Sequence, residues 1–514
     1  MNINNIETTN NKLNYNPSFK NTAAMTPLSK ALYTLGNNDM LNASAIDIFA
    51  MDTPRTIVEF QNRGKQAGIE MGFREFTGTF IAEFSAAIFA LTASKLVSKF
   101  VKPEIKINSD SWATNKALDT FNDIYQKSDK TPESFVKTTI QSMKGLNGNK
   151  INSMADIPEE KTETITQGLT KLITNKNLSK KEAKEIEENV KNQIINLTGA
   201  DNNIFVNSGK NEVKSNLSHM LRDIIDLGKN VFFNDAGQKS EQVLSKLKAM
   251  NKYRIMFAIP LSMSLGISNQ YINRHLTKKR TGIDNFVGEN GYEDNVKNKE
   301  EKAEQKGLWA KKLLSAGVFF AMLTKVMGVK KPSDFVNKLE FDGPATSGNA
   351  IKTIYGTLVL GRIFASKDST ELRETNIRDY LGFLNWLVLG GFVAKGVGQV
   401  LDSKQENLFN ISKPGKGIKH WLNNVSLKTQ TEIIAQGGDV AKNLKKLNAA
   451  QLSGIAYSSI MLGVLLPMLN ITMTKNDGKK DKQNEENKSV NLEFLSKYTI
   501  EKFEQDLTNP KQID

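Results

Sequence analysis

The pattern of apolar and polar positions divides the chain into five segments. Residues 1–24 are rich in Asn and Thr and lack apolar periodicity, which predicts a disordered N-terminus. Residues 25–102 predict short helices and then one long helix, and residues 103–250 predict polar amphipathic helices. Residues 251–474 alternate apolar segments with polar linkers. Residues 475–514 form a charged, disordered tail that contains a short amphipathic helix.

Six apolar segments are candidates for membrane spans, and a span needs about 20 mainly apolar residues. Only the last of them meets this length comfortably. A Lys or Arg at a helix centre costs about 2.5–3.5 kcal/mol on insertion, and each large aliphatic residue returns about 0.3–0.6 kcal/mol. For several of the six segments, the cost of inserting a charge and the gain from the aliphatic residues are therefore nearly equal. The segments are residues 76–100, 255–273, 309–329, 351–366, 380–401 and 449–473.

A soluble helical protein is the alternative, because a helix that is apolar on all sides is also typical of a buried core. Six such helices would need a very large core in a chain that is only 39% hydrophobic. The pattern favours an all-α, multi-helix membrane protein with a soluble helical insertion at 103–250 and disordered termini. The N-terminal residues lack the basic, apolar and small-residue regions of a cleavable signal peptide.

The polar insertion is expected to be helical throughout. Ser179 and Glu182 have the spacing of a capping box at a helix start, and Gly199 suits the end of that helix. No alternating strand is predicted, and residues 203–207 are taken as too short for a sheet.

Small residues recur at every fourth position of the first candidate span. In lipid such a ridge lets helix backbones approach closely, whereas the alternative is an Ala-rich amphipathic helix of a soluble bundle. The ridge consists of Gly78, Ala82, Ala86, Ala90, Ser94 and Ser98.

Single charges interrupt three of the apolar segments, namely Glu83, Arg362 and Lys395. Charges within a membrane usually face the protein interior and pair. We therefore expect Glu83 to pair with Lys395 or Arg362 across the bundle. The alternative is that the two basic side chains extend to the interface.

The chain has 69 Lys and Arg against 55 Asp and Glu, a net charge of +14. This charge is dispersed, and no nucleic-acid partner is expected because such binders concentrate it on one face. One cluster follows the 255–273 segment and predicts a cytoplasmic membrane flank attracted to anionic lipid headgroups. It contains Arg274, Lys278, Lys279 and Arg280.

Catalytic chemistry has little support in the sequence. The chain has no Cys and only three His, which excludes thiol nucleophiles and Cys-ligated metals. No phosphate-binding loop, nucleophile elbow or zinc helix is present. We therefore expect neither an enzyme nor a cofactor or metal site.

Four stretches stand out in the N-terminal fifth of the chain: Asn16–Lys20, Asp47–Phe49, Thr53–Val58 and Glu70–Gly78. In these stretches the chain resembles a group of uncharacterised membrane-associated proteins from gut bacteria related to cyanobacteria. The resemblance implies a bacterial membrane protein but no activity, because the group has none established.

The sequence predicts a multi-pass protein of the bacterial cell membrane with a structural or interaction role. Its expected partners are the lipid bilayer and either a second copy of the chain or another membrane protein. One alternative is a transporter-like carrier with Glu83, Arg362 and Lys395 along a polar path. Another is a soluble or peripheral helical protein at the membrane surface.

Overall fold

The computed structural model describes residues 25–108, 110–232, 239–282, 307–331, 334–335 and 338–476. The protein is mostly helical, with 75% helix and 7% strand, so the helical fold class is confirmed. The predicted disorder of residues 1–24 and the predicted tail helix lie outside the described residues.

The described residues form fifteen helices of seven or more residues. Their bounds are α1 Pro27–Gly36, α2 39–63, α3 Lys65–Phe100, α4 Asn115–Lys127, α5 Pro132–Gln141, α6 Glu159–Thr174, α7 Lys180–Thr198, α8 Leu217–Phe232, α9 Ser240–Thr281, α10 Leu308–Val326, α11 Gly348–Ala365, α12 369–401, α13 Ile418–Asn424, α14 Gln430–Gln436 and α15 Val440–Asn476.

Four of these helices contain a π-helical segment, a rare geometry that is frequent at functional sites. The segments are Ile46–Asp52 in α2, Phe80–Ser85 in α3, Asn385–Leu389 in α12 and Ser459–Leu465 in α15. The segment of α15 packs against those of α2 and α12.

Helix ends follow the local sequence. The capping box predicted at Ser179 and Glu182 is present: the hydroxyl accepts the amide of Glu182, and the Glu182 carboxylate accepts the amide of Ser179. Gly199 ends α7 with a left-handed φ of 73°, a conformation that glycine adopts without steric cost.

The polar unit contains a sheet that the sequence did not predict. An antiparallel sheet of order β2-β1-β3-β4 lies among helices α4 to α8. Ile204 and Val206 of β3 point into the core, and Val206 pairs with Met143 on one side and Val213 on the other. The prediction that residues 203–207 are too short for a sheet was wrong, because pairing along both edges stabilises a five-residue strand. The strands are β1 Met143–Asn147, β2 Lys150–Ser153, β3 Ile204–Ser208 and β4 Asn211–Ser215.

Two further pairs of short strands lie in the second half of the chain. They are β5 Phe341–Asp342 with β6 Ala345–Thr346, and β7 Phe409–Ile411 with β8 Val425–Leu427. The β7–β8 pair is attached to the four-stranded sheet, since the amide of Ile411 donates to the carbonyl of Gly148 at 2.6 Å.

Helix α9 connects the polar unit to a helical bundle. Its 42 residues span about 63 Å at about 1.5 Å per residue. Val243 and Leu247 belong to the core of the polar unit, whereas Ala258 and Ile259 belong to the core of the bundle. One uninterrupted helix therefore supplies side chains to both cores.

Helix α11 lies at the centre of the bundle and contacts α9, α10 and the π-helical segment of α3. Thirteen of its 18 residues are buried. The apolar character of residues 351–366 therefore reflects burial among other helices.

Two described helices, α3 and α15, are long and apolar enough to cross a membrane. They contain the predicted spans 76–100 and 449–473, and their most apolar windows are 44% and 33% buried. Among the described helices, those that hold the other four predicted spans do not meet this test; the spans are residues 255–273, 309–329, 351–366 and 380–401.

Candidate functional site

Beside its apolar core, the helical bundle buries many charged side chains and exposes many large apolar ones. On α2 the buried face carries Arg55, Glu59 and Arg63 at intervals of four, whereas Ile57 and Phe60 are exposed. This is the reverse of a water-soluble helix, whose apolar stripe faces the core. The same reversal occurs on α12, where the buried residues include Glu371, Glu374, Arg378 and Asp379.

Glu75 is the central carboxylate of the interior charges. Its oxygens lie 3.2 Å from a terminal nitrogen of Arg74, 3.3 Å from Arg362 and 3.7 Å from Arg55. The side chains of all four residues are at most 3% exposed. One carboxylate from α3 thus holds guanidinium groups from α2, α3 and α11.

Asp379 extends this cluster on α12. It accepts a hydrogen bond from Arg362 at 2.9 Å and one from Arg378 at 3.3 Å. Together with Glu75 the cluster contains four guanidinium groups and two carboxylates, a formal excess of positive charge. We call these six residues, Arg55, Arg74, Glu75, Arg362, Arg378 and Asp379, the arginine cluster.

Acidic groups lie beside the arginine cluster. Arg63 forms ion pairs with Glu374 at 2.6 Å and with Glu59 at 3.3 Å. Asp52 accepts a hydrogen bond from the hydroxyl of Thr79 at 2.7 Å. These contacts tie α2 to α12 and α3 through buried polar groups.

Arg55 also contacts a π-helical segment. Its Nε donates to the carbonyl oxygen of Leu462 in α15 at 2.8 Å. Both terminal nitrogens of Arg55 and one oxygen of Asp379 lack a hydrogen-bond partner among the described residues. The cluster therefore keeps unused hydrogen-bonding capacity inside the bundle.

The predicted pairing of Glu83 with Arg362 or Lys395 does not occur in this structure. Glu83 accepts a hydrogen bond from Ser44, and Arg362 pairs with Glu75 and Asp379. Lys395 donates to the backbone carbonyls of residues 421 and 422. The prediction failed because Glu83 lies about two turns beyond Glu75, on the part of α3 that faces α2 and β6.

The small-residue ridge of α3 lies on a buried face. Its members are buried except Ser98, which is half-buried, and the helix packs along α9. Ser94 accepts a hydrogen bond from Nε of Arg254 at 2.6 Å. The ridge is therefore where α3 and α9 approach each other.

The basic cluster after residue 273 divides into two parts. Arg274 is buried and forms an ion pair with Glu371, so its prediction as part of a membrane flank was wrong. Lys278, Lys279 and Arg280 are exposed at the end of α9. Lys279 and Arg280 lie on other sides of α9 than Arg274, whereas Lys278 follows Arg274 by one turn on the same side and is exposed nearer the helix end.

A second buried polar network joins distant parts of the chain, and the sequence analysis missed it. Glu432 accepts the amides of Asp201 and Asn202 at 2.9 and 3.0 Å and the side-chain amide of Asn410 at 2.8 Å. Burial raises the pKa of Glu432 above its usual value. The sequence does contain a local sign of this position of Glu432: Thr429 and Glu432 have the spacing of a capping box, and the structure forms that box.

The arginine cluster also left a signal in the sequence: charged residues recur with helical period beside apolar residues with the same period. A hydropathy average does not detect this, because it ignores which face carries the charge. Chemically, the cluster offers ion pairing and anion contacts. Within the described residues, no group of three His, Asp or Glu side chains is arranged to hold a metal ion.

No protein-family model, curated protein or solved structure matches this chain. The resemblance of the N-terminal fifth to bacterial membrane-associated proteins stays a prediction.

Proposed function

We propose that this chain is a multi-pass protein of the bacterial cell membrane, in which the bundle is embedded in lipid and the polar unit serves as a structural or interaction module. The observation that supports this most is the inverted distribution of side chains in the bundle. Charged residues are costly in lipid unless they face the protein interior and pair, as in the arginine cluster.

Exposed apolar residues of the bundle support the same proposal. Helix α10 exposes Leu313, Leu314 and Phe320 to 62%, 70% and 54%, and α3 exposes Phe80 to 54%. In the described part of residues 103–239, by contrast, Ile151 is the one large hydrophobic residue that is exposed. Many exposed large apolar residues of this kind are typical of a membrane or partner contact.

Helix crossings in the bundle favour a lipid environment as well. A Cβ on Gly454 would lie 2.6 Å from the carbonyl oxygen of Gly390, and one on Gly463 would lie 2.6 Å from that of Ala50. Small residues at crossings permit the close backbone approach on which helix association in lipid depends.

For orientation, we propose that the C-terminal end of α9 lies on the cytoplasmic side. Lys278, Lys279 and Arg280 are exposed there and can interact with anionic headgroups. The polar unit is proposed to contact a second copy of the chain or another membrane protein.

The absence of Cys permits a direct test by single-cysteine labelling. Leu314→Cys and Phe80→Cys probe the apolar surface, and Glu160→Cys is the matched exposed control in the polar unit. In intact or opened membranes, we expect a membrane-impermeant maleimide to label position 160 rapidly and positions 314 and 80 only after detergent is added.

Equal labelling of all three positions in membranes would refute embedding of the bundle. Recovery of the full chain in the soluble fraction without detergent would instead favour the peripheral alternative. An alkaline wash separates an embedded chain from one that is bound only by charge.

A transporter-like carrier is the second candidate, and the position of the arginine cluster favours it. The terminal nitrogens of Arg55 have no hydrogen-bond partner among the described residues, and they lie on a side chain that contacts the π-helical segment of α15. Charges inside a bundle, next to irregular helix segments, suit the substrate site of a transporter. Proteoliposomes containing the full chain should then take up a carboxylate or phosphate anion, and Arg55→Gln should abolish uptake. Equal uptake by protein-free liposomes would refute this candidate.

A further inference from the structure

A large groove lies between α10, α11, α12 and β8, away from the arginine cluster. Its volume is about 1210 Å³, and apolar side chains such as Val326, Val388 and Phe392 line it. Ordinary small-molecule pockets have volumes of about 300–1,000 Å³. The size and lining therefore suit an elongated amphiphile better than a compact metabolite.

The charges in the groove have one sign. Lys325, Lys352 and Lys395 line it, and no Asp or Glu belongs to its lining. None of the three lysines forms an ion pair with a carboxylate of the described residues. Lys395 donates to the backbone carbonyl of Leu422 at 3.4 Å, and its ammonium lies 4.1 Å from the centre of the Trp421 ring.

Lys352 is half-buried in this apolar surrounding, whereas Lys325 is exposed at the end of α10. Asp39 attracts the Lys352 ammonium without forming an ion pair with it. A partly buried ammonium gains from a closer anion, so an anionic ligand would be stabilised there. The same ligand needs an apolar part to cover Val388 and Phe392. These two requirements describe an amphiphile with a negatively charged head.

We propose that this groove binds an anionic phospholipid, with its phosphate near Lys325 and Lys352 and an acyl chain along the apolar lining. The proposal rests on the proposed membrane location, which supplies the lipid from the surrounding bilayer. Charge complementarity favours an anionic headgroup over a zwitterionic one, because the lining offers lysines to a phosphate but no carboxylate to a choline group.

Native mass spectrometry of the full chain in mild detergent tests the proposal. Phosphatidylglycerol and phosphatidylcholine with identical acyl chains are titrated, and bound lipid is counted. We expect phosphatidylglycerol to bind more tightly, and the double variant Lys325→Met, Lys352→Met to weaken that binding about thirtyfold, as expected for two lysines near an anionic head. The matched control is Lys95→Met, Lys99→Met, which removes two exposed lysines from α3.

A second variant tests the acyl part of the site. A Cβ on Gly391 has no neighbour within 4 Å, and Gly391 lines the groove. Gly391→Phe should therefore fill it and weaken binding of both lipids. Gly396→Phe on the same helix also enters open space but lies outside the groove lining, and it should have no effect.

Equal binding of the two lipids, or unchanged binding by the Lys325, Lys352 double variant, would overturn the proposal. Because the titration is done in detergent, it does not depend on membrane insertion. A chain that fails the cysteine-labelling test and still selects phosphatidylglycerol would contradict the proposed function alone.

Discussion

Replacing Glu75 by Gln should destabilise the bundle more than any exposed charge substitution. The substitution keeps the shape of the side chain and removes the negative charge that lies within 3.7 Å of Arg55, Arg74 and Arg362. Arg362 would still have Asp379 at 2.9 Å. Arg55 and Arg74, however, would lose the carboxylate that neutralises them.

The magnitude follows from the cost of leaving a buried charge unpaired. Removing one partner of a buried ion pair costs about 3–5 kcal/mol. Since two guanidinium groups lose their neutralising partner, we expect Glu75→Gln to lower the free energy of unfolding by about 5 kcal/mol. At about 1.4 kcal/mol per factor of ten, this lowers the folding equilibrium constant by about three to four orders of magnitude.

Unfolding of the full chain in mild detergent by added SDS measures this effect, with helix content followed by circular dichroism. Glu160→Gln is the control, because Glu160 is exposed in the polar unit. The double variant Glu75→Gln, Arg55→Met should recover part of the loss, since it also removes one unpaired charge. If Glu75→Gln unfolded within about 0.5 kcal/mol of the control, the central role of this carboxylate would be refuted.

Three further outcomes follow from the structure. Gly463→Ala should lower the free energy of unfolding by about 1–3 kcal/mol, because the new Cβ would meet the backbone of α2. Gly396→Ala is the control and should not destabilise the protein, since its Cβ enters open space. Equal stabilities of the two variants would contradict the tight helix crossing. Ser179→Ala should cost about 1 kcal/mol by removing the cap of α7, and unchanged hydrogen exchange at that helix start would argue against it. Burial raises the pKa of Asp226 from 3.8 to about 6. The folded state then binds more protons than the unfolded state between those values, so the free energy of unfolding should fall as pH rises from about 4 to about 6. Asp226→Asn should remove this component, and an unaltered pH profile would contradict it.

The sequence predicted the helical architecture because helix signals are local. The capping box at Ser179 and the apolar stretches of α3 and α15 each depend on neighbouring residues, and all three are present. The sheet of the polar unit was missed for the opposite reason. Strand β3 pairs with β1, about 60 residues earlier, and no local pattern records that pairing.

The site was predicted only in part, because charges were judged one at a time. Arg362 was expected to pair with Glu83 or to extend to the interface, but its partners are Glu75 and Asp379. Glu75 was not predicted as a site residue, because it follows Arg74 in a segment of mixed polarity and does not interrupt an apolar run. Pairing partners of a buried charge depend on helix rotation and packing, which hydropathy alone does not fix.

The exposed surfaces of the two halves of the protein differ in character. In the polar unit large apolar side chains are mostly buried, whereas the bundle, beside its apolar core, buries Arg55, Glu75 and Asp379 and exposes Leu314. Helix α9 belongs to both and must change the character of its exposed face along its length. It does so near residue 250, where polar-unit residues give way to exposed Met256 and Phe257. An average over the whole chain therefore resembles a slightly basic soluble protein, although the exposed side chains of the two halves differ in character.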